Sequence, residues 1–199
     1  MNEARTNGGR AIFAGLAVLW GALLVFAMAV PNLSGAQKPS TMEKMVFQAR
    51  LLPKEGGQST MVKFEVDGLT TKEEVGHLQS AFNLKDAAAF RTEFRKTPKA
   101  TMKFYEWGST IHFNAAFVEP AEKGTRITLF AEDRTLGTIS NDVPLGRWYL
   151  VAVLNIDEKG RGDGRLYQSA LVNFTDDNRM ELDTYRRSPM MIIQVRKTT

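Results

Sequence analysis

From residue 45 onward the chain alternates between two rhythms of apolar and polar residues. The first is a period of two. Val62, Phe64 and Val66 interleave with Lys63 and Glu65, so one face of a strand over 61–66 is buried and the other is wet. A strand over Met45–Leu52 precedes it, and Glu55-Gly56-Gly57 between the two reads as the turn of a hairpin. Then the rhythm changes. Thr71 opens T-K-E-E with Glu74 three residues on, a capping box that satisfies exposed helix N–H groups. Val75, Leu78 and Phe82 come next at helical spacing. A second helix begins near Asp86 with Ala87, Phe90 and Phe94 on one face, and must end before Pro98, since the residue before a proline avoids helical geometry.

The remaining half returns to the period of two. Strands are expected over 101–107 and 110–118, on either side of Gly108. In the latter, Ile111, Phe113, Ala115 and Phe117 are expected on one face, with His112 opposite. A strand over 126–131 succeeds the turn Glu122-Lys123-Gly124. The stretch 148–156 is apolar on both faces, the mark of a central strand covered on both sides. Strands over 165–174, Met180–Tyr185 and 191–195 complete the run, with turns at Asp176-Asp177-Asn178 and Arg187-Ser188-Pro189. The expected fold is α+β: a mainly antiparallel, curved sheet of about eight or nine strands, barrel- or sandwich-like. One helical hairpin is inserted after the second strand, packing on one face or plugging one end.

Ahead of this domain the pattern is different in kind. Residues 1–10 are polar, with Arg5 and Arg10, and residues 11–30 run without a charge. Pro31 and the small-residue stretch Leu33-Ser34-Gly35-Ala36 come next. Positive head, apolar middle and small-residue exit make the plan of a secretory signal, with Ser34 and Ala36 at the −3 and −1 places before Gln37. Twenty apolar residues at ~1.5 Å each also reach across a bilayer, so the segment reads either as a cleaved signal peptide or as a retained transmembrane anchor. Both readings translocate the chain beyond Val30, because the arginines hold the N-terminus in the cytoplasm. Residues 37–44 read as a linker and 45–199 as one exported domain, periplasmic or secreted after cleavage, or tethered to the membrane by residues 11–30.

Charge adds little. The net formal charge is +4, and the first 36 residues hold Arg5 and Arg10 against Glu3, which leaves +3 for the rest. Basic and acidic residues are interleaved without a basic stripe, so nucleic acid is not an expected partner. The absence of cysteine excludes disulfides, thiolate metal sites and a cysteine nucleophile.

Several motifs along the domain carry a resemblance. They are Phe47-Gln48-Ala49-Arg50, the strand V-K-F-E-V-D from Val62 running into T-T-K-E-E, and I-T-L-F-A-E-D-R from Ile127. L-N-I-D-E-K-G-R-G-D-G-R-L from Leu154 and M-E-L-D-T-Y-R-R-S-P from Met180 complete the set. Together they cover most of residues 45–196, and on them the chain resembles a family of exported bacterial proteins of unknown function. The resemblance implies export and a shared architecture, and it carries over no activity or binding residue.

Candidate chemistry is sparse. The loop from Asn155 to Gly164 has a calcium-loop flavour, but an EF-hand needs oxygen at position 5 and Glu at position 12, where Lys159 and Leu166 stand. A glycine-rich hairpin loop explains it, and the triplet Arg161-Gly162-Asp163 is short enough to arise by chance. His77 and His112 are the two histidines, too few for a zinc site without several carboxylates. No metal, cofactor or catalytic residue is therefore assigned. Glu106, Glu119, Glu132 and Asp133 are the carboxylates that a hydrolase would draw on, if two faced one cleft within about 10 Å. Glu132, Asp133 and Arg134 form the most polar cluster after an apolar strand and are candidates for a ligand-binding rim. Tyr105 and Trp107 are expected on a face opposite Phe104, where they are candidates to line a groove. The leading expectation is a non-enzymatic binding or envelope-associated domain. Its partner would be an apolar or amphiphilic small molecule or another envelope protein, with the membrane touched only by the N-terminal segment. The alternatives are an extracytoplasmic hydrolase with paired carboxylates and a structural partner in an envelope assembly, which would show an exposed apolar patch.

Overall fold

The computed structural model describes residues 43–53, 56–133, 149–177, 179–185 and 188–198. The apolar run 11–30, the cleavage position at Ala36, most of the linker, Glu55, Arg134, Trp148, Asn178 and Arg187 lie outside the described residues. The described residues belong to one compact unit. Among the described residues no helix is long and apolar enough to cross a membrane.

The elements, in chain order, are β1 (Met45–Leu52), β2 (Thr60–Val66), α1 (Lys72–Asn83), α2 (Ala87–Phe94), β3 (Ala100–Phe104), β4 (Thr110–Phe113), β5 (Ala115–Ala121), β6 (Gly124–Glu132), β7 (Tyr149–Ile156), β8 (Arg161–Phe174), β9 (Met180–Tyr185) and β10 (Met190–Lys197). The fold is α+β and sheet-dominated. All strands join one antiparallel sheet in the order β4-β3-β2-β1-β10-β8-β7-β6-β5, with β9 paired to β8 off that path. The sheet is open: no ladder joins β4 to β5 at the two ends of the order.

Both helices start where their side chains can satisfy the first free N–H groups. The Thr71 N–H donates to Glu74 Oε2 at 2.8 Å, and the Glu74 N–H donates to Thr71 Oγ1 at 3.2 Å. Burial alone would raise the Glu74 carboxyl, but hydrogen bonds from Lys99 and Thr71 hold it below its usual value. Asp86 caps α2 by accepting from the N–H groups of Ala88 and Ala89.

Three strands differ from the alternation read in sequence. The stretch 110–118 is not one strand. It breaks at Asn114, whose N–H donates to the Phe130 carbonyl at 2.8 Å, and its halves become the two edge strands β4 and β5. The break reverses the facing of the chain. Phe113 and Ala116 belong to one buried cluster, and Ala115 and Phe117 belong to the other. The four residues expected on one face are thus divided between two, and the sheet has ten strands among the described residues. The strand over 101–107 ends early, at Phe104, because Gly108, with φ 65°, donates to the Phe104 carbonyl and turns the chain back into β4. The strand expected over 165–174 starts earlier, at Arg161. The glycines of the supposed loop lie inside the ladder: a Cβ on Gly162 or Gly164 would strike the backbone carbonyl of Asn155 or Val153. The turn itself is confined to Asp157–Gly160, where Asp157 Oδ1 accepts from the N–H groups of Lys159 and Arg161.

The alternation sorts the core into two clusters. The first gathers side chains from every strand except β9, including Phe47, Phe64, Met102, Leu129, Leu154 and Ile192. The second joins Val75, Leu78, Phe90 and Phe94 of the helices to Phe130, Tyr149, Val151 and Tyr167 of the strands. Strand β7 serves both, with Leu150, Ala152 and Leu154 in the first and Tyr149 and Val151 in the second. Strand β8 carries a bulge, with Ser169 at φ 52° and a register shift against β7. Before the bulge it pairs with β10, and beyond it with β9. Aromatic contacts bind the end of this arm to the helices: the Phe174 ring lies 5.1 Å from Phe82 and 6.2 Å from Phe90.

Candidate functional site

Residues directly opposite one another on antiparallel strands stand side by side, ~4.5–5.5 Å apart, and residues two apart along a strand share a face ~7 Å apart. On the face that carries the second cluster, register therefore lays down rows across β5, β6, β7 and β8. Glu119, Arg126, Asn155 and Asp163 form a fully polar row. The next row is mixed: Phe117, Thr128, Val153 and Arg165, continued by Met191 of β10. The third is apolar, with Ala115, Phe130, Val151 and Tyr167, and sinks into the cluster beneath the helices.

Over the first two rows lies a groove of about 610 Å³, with Tyr167 at its apolar end and Met180, Glu181 and Leu182 of β9 contributing its other wall. Polarity thus changes along it, from charge at one end to hydrocarbon and aromatic ring at the other. Part of the charge is internally compensated. Arg179 joins Glu119 at 2.5 Å and Asp177 at 2.6 Å, tying the start of β9 to the sheet face. The Asp177 hydrogen bond pushes the Arg179 guanidinium up, and bonds from Thr175 and then Arg179 hold the Asp177 carboxyl down. Arg126 donates to Asn155 Oδ1 at 3.3 Å. Asp163, Arg165 and Glu181 keep their side chains without a hydrogen-bond or ion-pair partner among the described residues.

Of the candidate binding and catalytic residues among the described residues, Glu119 lines the groove and Tyr105, Glu106, Trp107, Glu132 and Asp133 do not. Tyr105 and Trp107 are exposed, 49% and 67%, in the turn after β3. Trp107 does not stand opposite Phe104. It stacks on that ring at 5.4 Å and 26°, and neither Trp107 nor Tyr105 lines the groove. Glu132 receives Arg95 through Nη2 at 2.6 Å and Nε at 2.9 Å, which clamps the C-terminal cap of α2 to the end of β6. Asp133 is 1% exposed, and its Oδ2 accepts the Ser169 N–H at 2.8 Å, a donor at the β8 bulge. Tyr149 lies opposite Glu132. Burial, and then that carboxylate, push its phenol up, so it stays protonated.

The four carboxylates have separate engagements. Glu106 lies 3.5 Å from Thr60 Oγ1 on β2. Glu119 sits opposite Arg126, six residues along β6 from Glu132, roughly 20 Å at strand rise. His77 is exposed on α1, 3.5 Å from Glu93, and His112 is exposed on β4. Among the described residues no three of His, Asp and Glu gather so as to hold a metal ion.

Arg126, Arg165 and Glu181 are not picked out by the sequence pattern, and Asp163 enters it only within the supposed loop and the Arg161-Gly162-Asp163 triplet. Reading residues 155–164 as loop hid Asp163. The alternation Asp163, Arg165, Tyr167 along one strand face was the available signal, a polar-to-apolar gradient in five residues. No family model, curated protein or solved structure matches the chain.

Proposed function

We propose that this is an exported, non-enzymatic binding domain whose groove over β5–β8 takes an amphiphilic small molecule. The observation that carries the reading is the succession of rows, polar then mixed then apolar, under one continuous groove. A ligand with a polar head and an apolar body matches such a gradient in one orientation only, because reversing it would bury the head against Tyr167 and Leu182 without partners. The cluster of Phe47, Phe64 and their neighbours on the other face is packed with side chains, which favours the groove over the inside of a curling, barrel-like sheet as the place for a ligand. The positive head and apolar run of residues 1–30 support export by a cleaved signal or a retained anchor. The resemblance to exported bacterial proteins supports the same location, periplasmic or beyond.

The test is intact mass on protein recovered from the extracytoplasmic compartment, first native and then denatured. The expected native mass exceeds the denatured one by a fixed small amount, and the denatured mass corresponds to a chain beginning at Gln37 or to the full chain. Equal masses, together with no heat of binding for a dodecyl-chain amphiphile, would overturn the small-ligand reading and redirect the search to a protein partner.

A further inference from the structure

Resting on the reading of the groove as an amphiphile site, we propose that its ligand carries a zwitterionic head. The anionic group sits on Arg165, the cationic group sits beside Asp163, and the chain runs past Tyr167 and Leu182. The argument is one of charge left over. Five charged side chains line the groove: Arg126 and Arg165 against Glu119, Asp163 and Glu181. Glu119 shares Arg179 with Asp177, and Arg126 donates to the neutral Asn155 amide, which leaves its charge in place. There remain Arg126 and Arg165 against Asp163 and, on the β9 wall, Glu181. A simple anion drawn to Arg165 meets two unneutralised carboxylates. A simple cation drawn to Asp163 meets two guanidinium groups. A head with both charges a few bonds apart meets neither conflict.

The spacing agrees. Asp163 and Arg165 are two residues apart on one face of β8, ~7 Å between Cβ atoms. Each projects a side chain toward the same open volume. Arg165 also stands in the mixed row, flanked by Val153 and Met191. An arginine so placed has part of its solvent replaced by hydrocarbon, which strengthens a charge-assisted bond to phosphate or carboxylate. Tyr167 stands two residues further along the same face, where the chain of the ligand leaves the head and meets the apolar row.

The experiment uses the protein as recovered from cells and four dodecyl-chain probes below their micelle concentrations: phosphocholine, phosphate, trimethylammonium and maltoside heads. Titration calorimetry gives four affinities. The expected order places dodecylphosphocholine about tenfold tighter than each of the others, the scale of one charge-assisted contact. Arg165→Gln is expected to abolish its advantage over the trimethylammonium probe, and Asp163→Asn its advantage over the phosphate probe. Both positions are exposed, and an unaltered unfolding midpoint confirms that each variant is folded. Equal affinity for all four heads would overturn the zwitterion and leave the amphiphile site standing. No binding of any probe would overturn both. Association with intact phosphatidylcholine vesicles without binding of the monomeric probe would overturn the groove-bound ligand in favour of a bilayer surface.

Discussion

On one face of the sheet Phe47, Phe64, Met102 and Leu129 join one cluster of buried side chains. On the other, the same alternating strands supply Phe130, Val151 and Tyr167 to the helices at one end and leave Arg126, Asn155 and Asp163 open at the other. The two faces differ in their cover. The first is covered by side chains drawn from nearly every strand. The second is covered by added parts, the helical hairpin and the β8–β9 arm, which reach over only part of it. A face that is self-covering has stability as its task. A face covered in part from outside can keep a groove, and its polar rows are set by register instead of by core packing.

Substitutions can break or sharpen this contrast. The largest effect is expected from Phe64→Ala on the filled face, a loss of about 3–5 kcal/mol in denaturant unfolding from the transfer and cavity terms together. The affinity of the folded fraction for dodecylphosphocholine should not change. A loss of affinity without a loss of stability would reverse the division between faces. Gly164→Ala comes next, because its Cβ would strike the Val153 carbonyl and the Leu154 side chain. About 1–3 kcal/mol is expected. Since Gly164 lies between Asp163 and Arg165, this variant should weaken groove binding as well, and unaltered calorimetry would separate the strand spacing from the site.

Thr71→Ala removes the cap of α1 and should cost about 1 kcal/mol, read as a lowered thermal midpoint with the strand contribution to circular dichroism intact. The smallest effect is set by pH. Glu65, on the solvent side of β2, is bonded by Lys44 at 2.8 Å and by Lys63, and these bonds lower its carboxyl from 4.5 to about 2. A depressed folded value means that the contribution is fully present above pH 4.5 and is lost as pH falls through about 2. Because the pair is mostly exposed, Glu65→Gln should cost under ~1 kcal/mol at pH 7. The difference between the two proteins should vanish near pH 2, and a difference that grows on acidification would reverse the sign.

Legibility in the sequence tracks the range of the forces involved. Strands β1 and β2, the Thr71 cap with Glu74, the helix from Asp86 and the doubly covered β7 rest on local pattern, and each is present where the alternation or the capping residues place it. The division of 110–118 at Asn114 was not legible, because apolar residues continue at a period of two through the break and only pairing with β6 reveals it. Nor were the rows of the groove. They need the register of four strands at once, and one wall comes from β9, which reaches the site through a bulge at Ser169. Glu132 and Asp133 were legible as a polar cluster, but their engagement with Arg95 and Ser169 depends on partners more than thirty residues away. Trp107 shows the limit of alternation at a strand end: once Gly108 turns the chain, odd and even positions no longer mean opposite sides.

Asn114 has a consequence for how the domain bears load. The outermost strands of an open sheet are where unzipping begins, one backbone bond at a time. Here β4 and β5, the two ends of the strand order, succeed each other in the chain with Asn114 alone between them. Pulling β4 away from β3 therefore draws on β5 and its seven-pair ladder with β6 at the same moment. The two edges share one fastening, and a tear started at either is resisted at both.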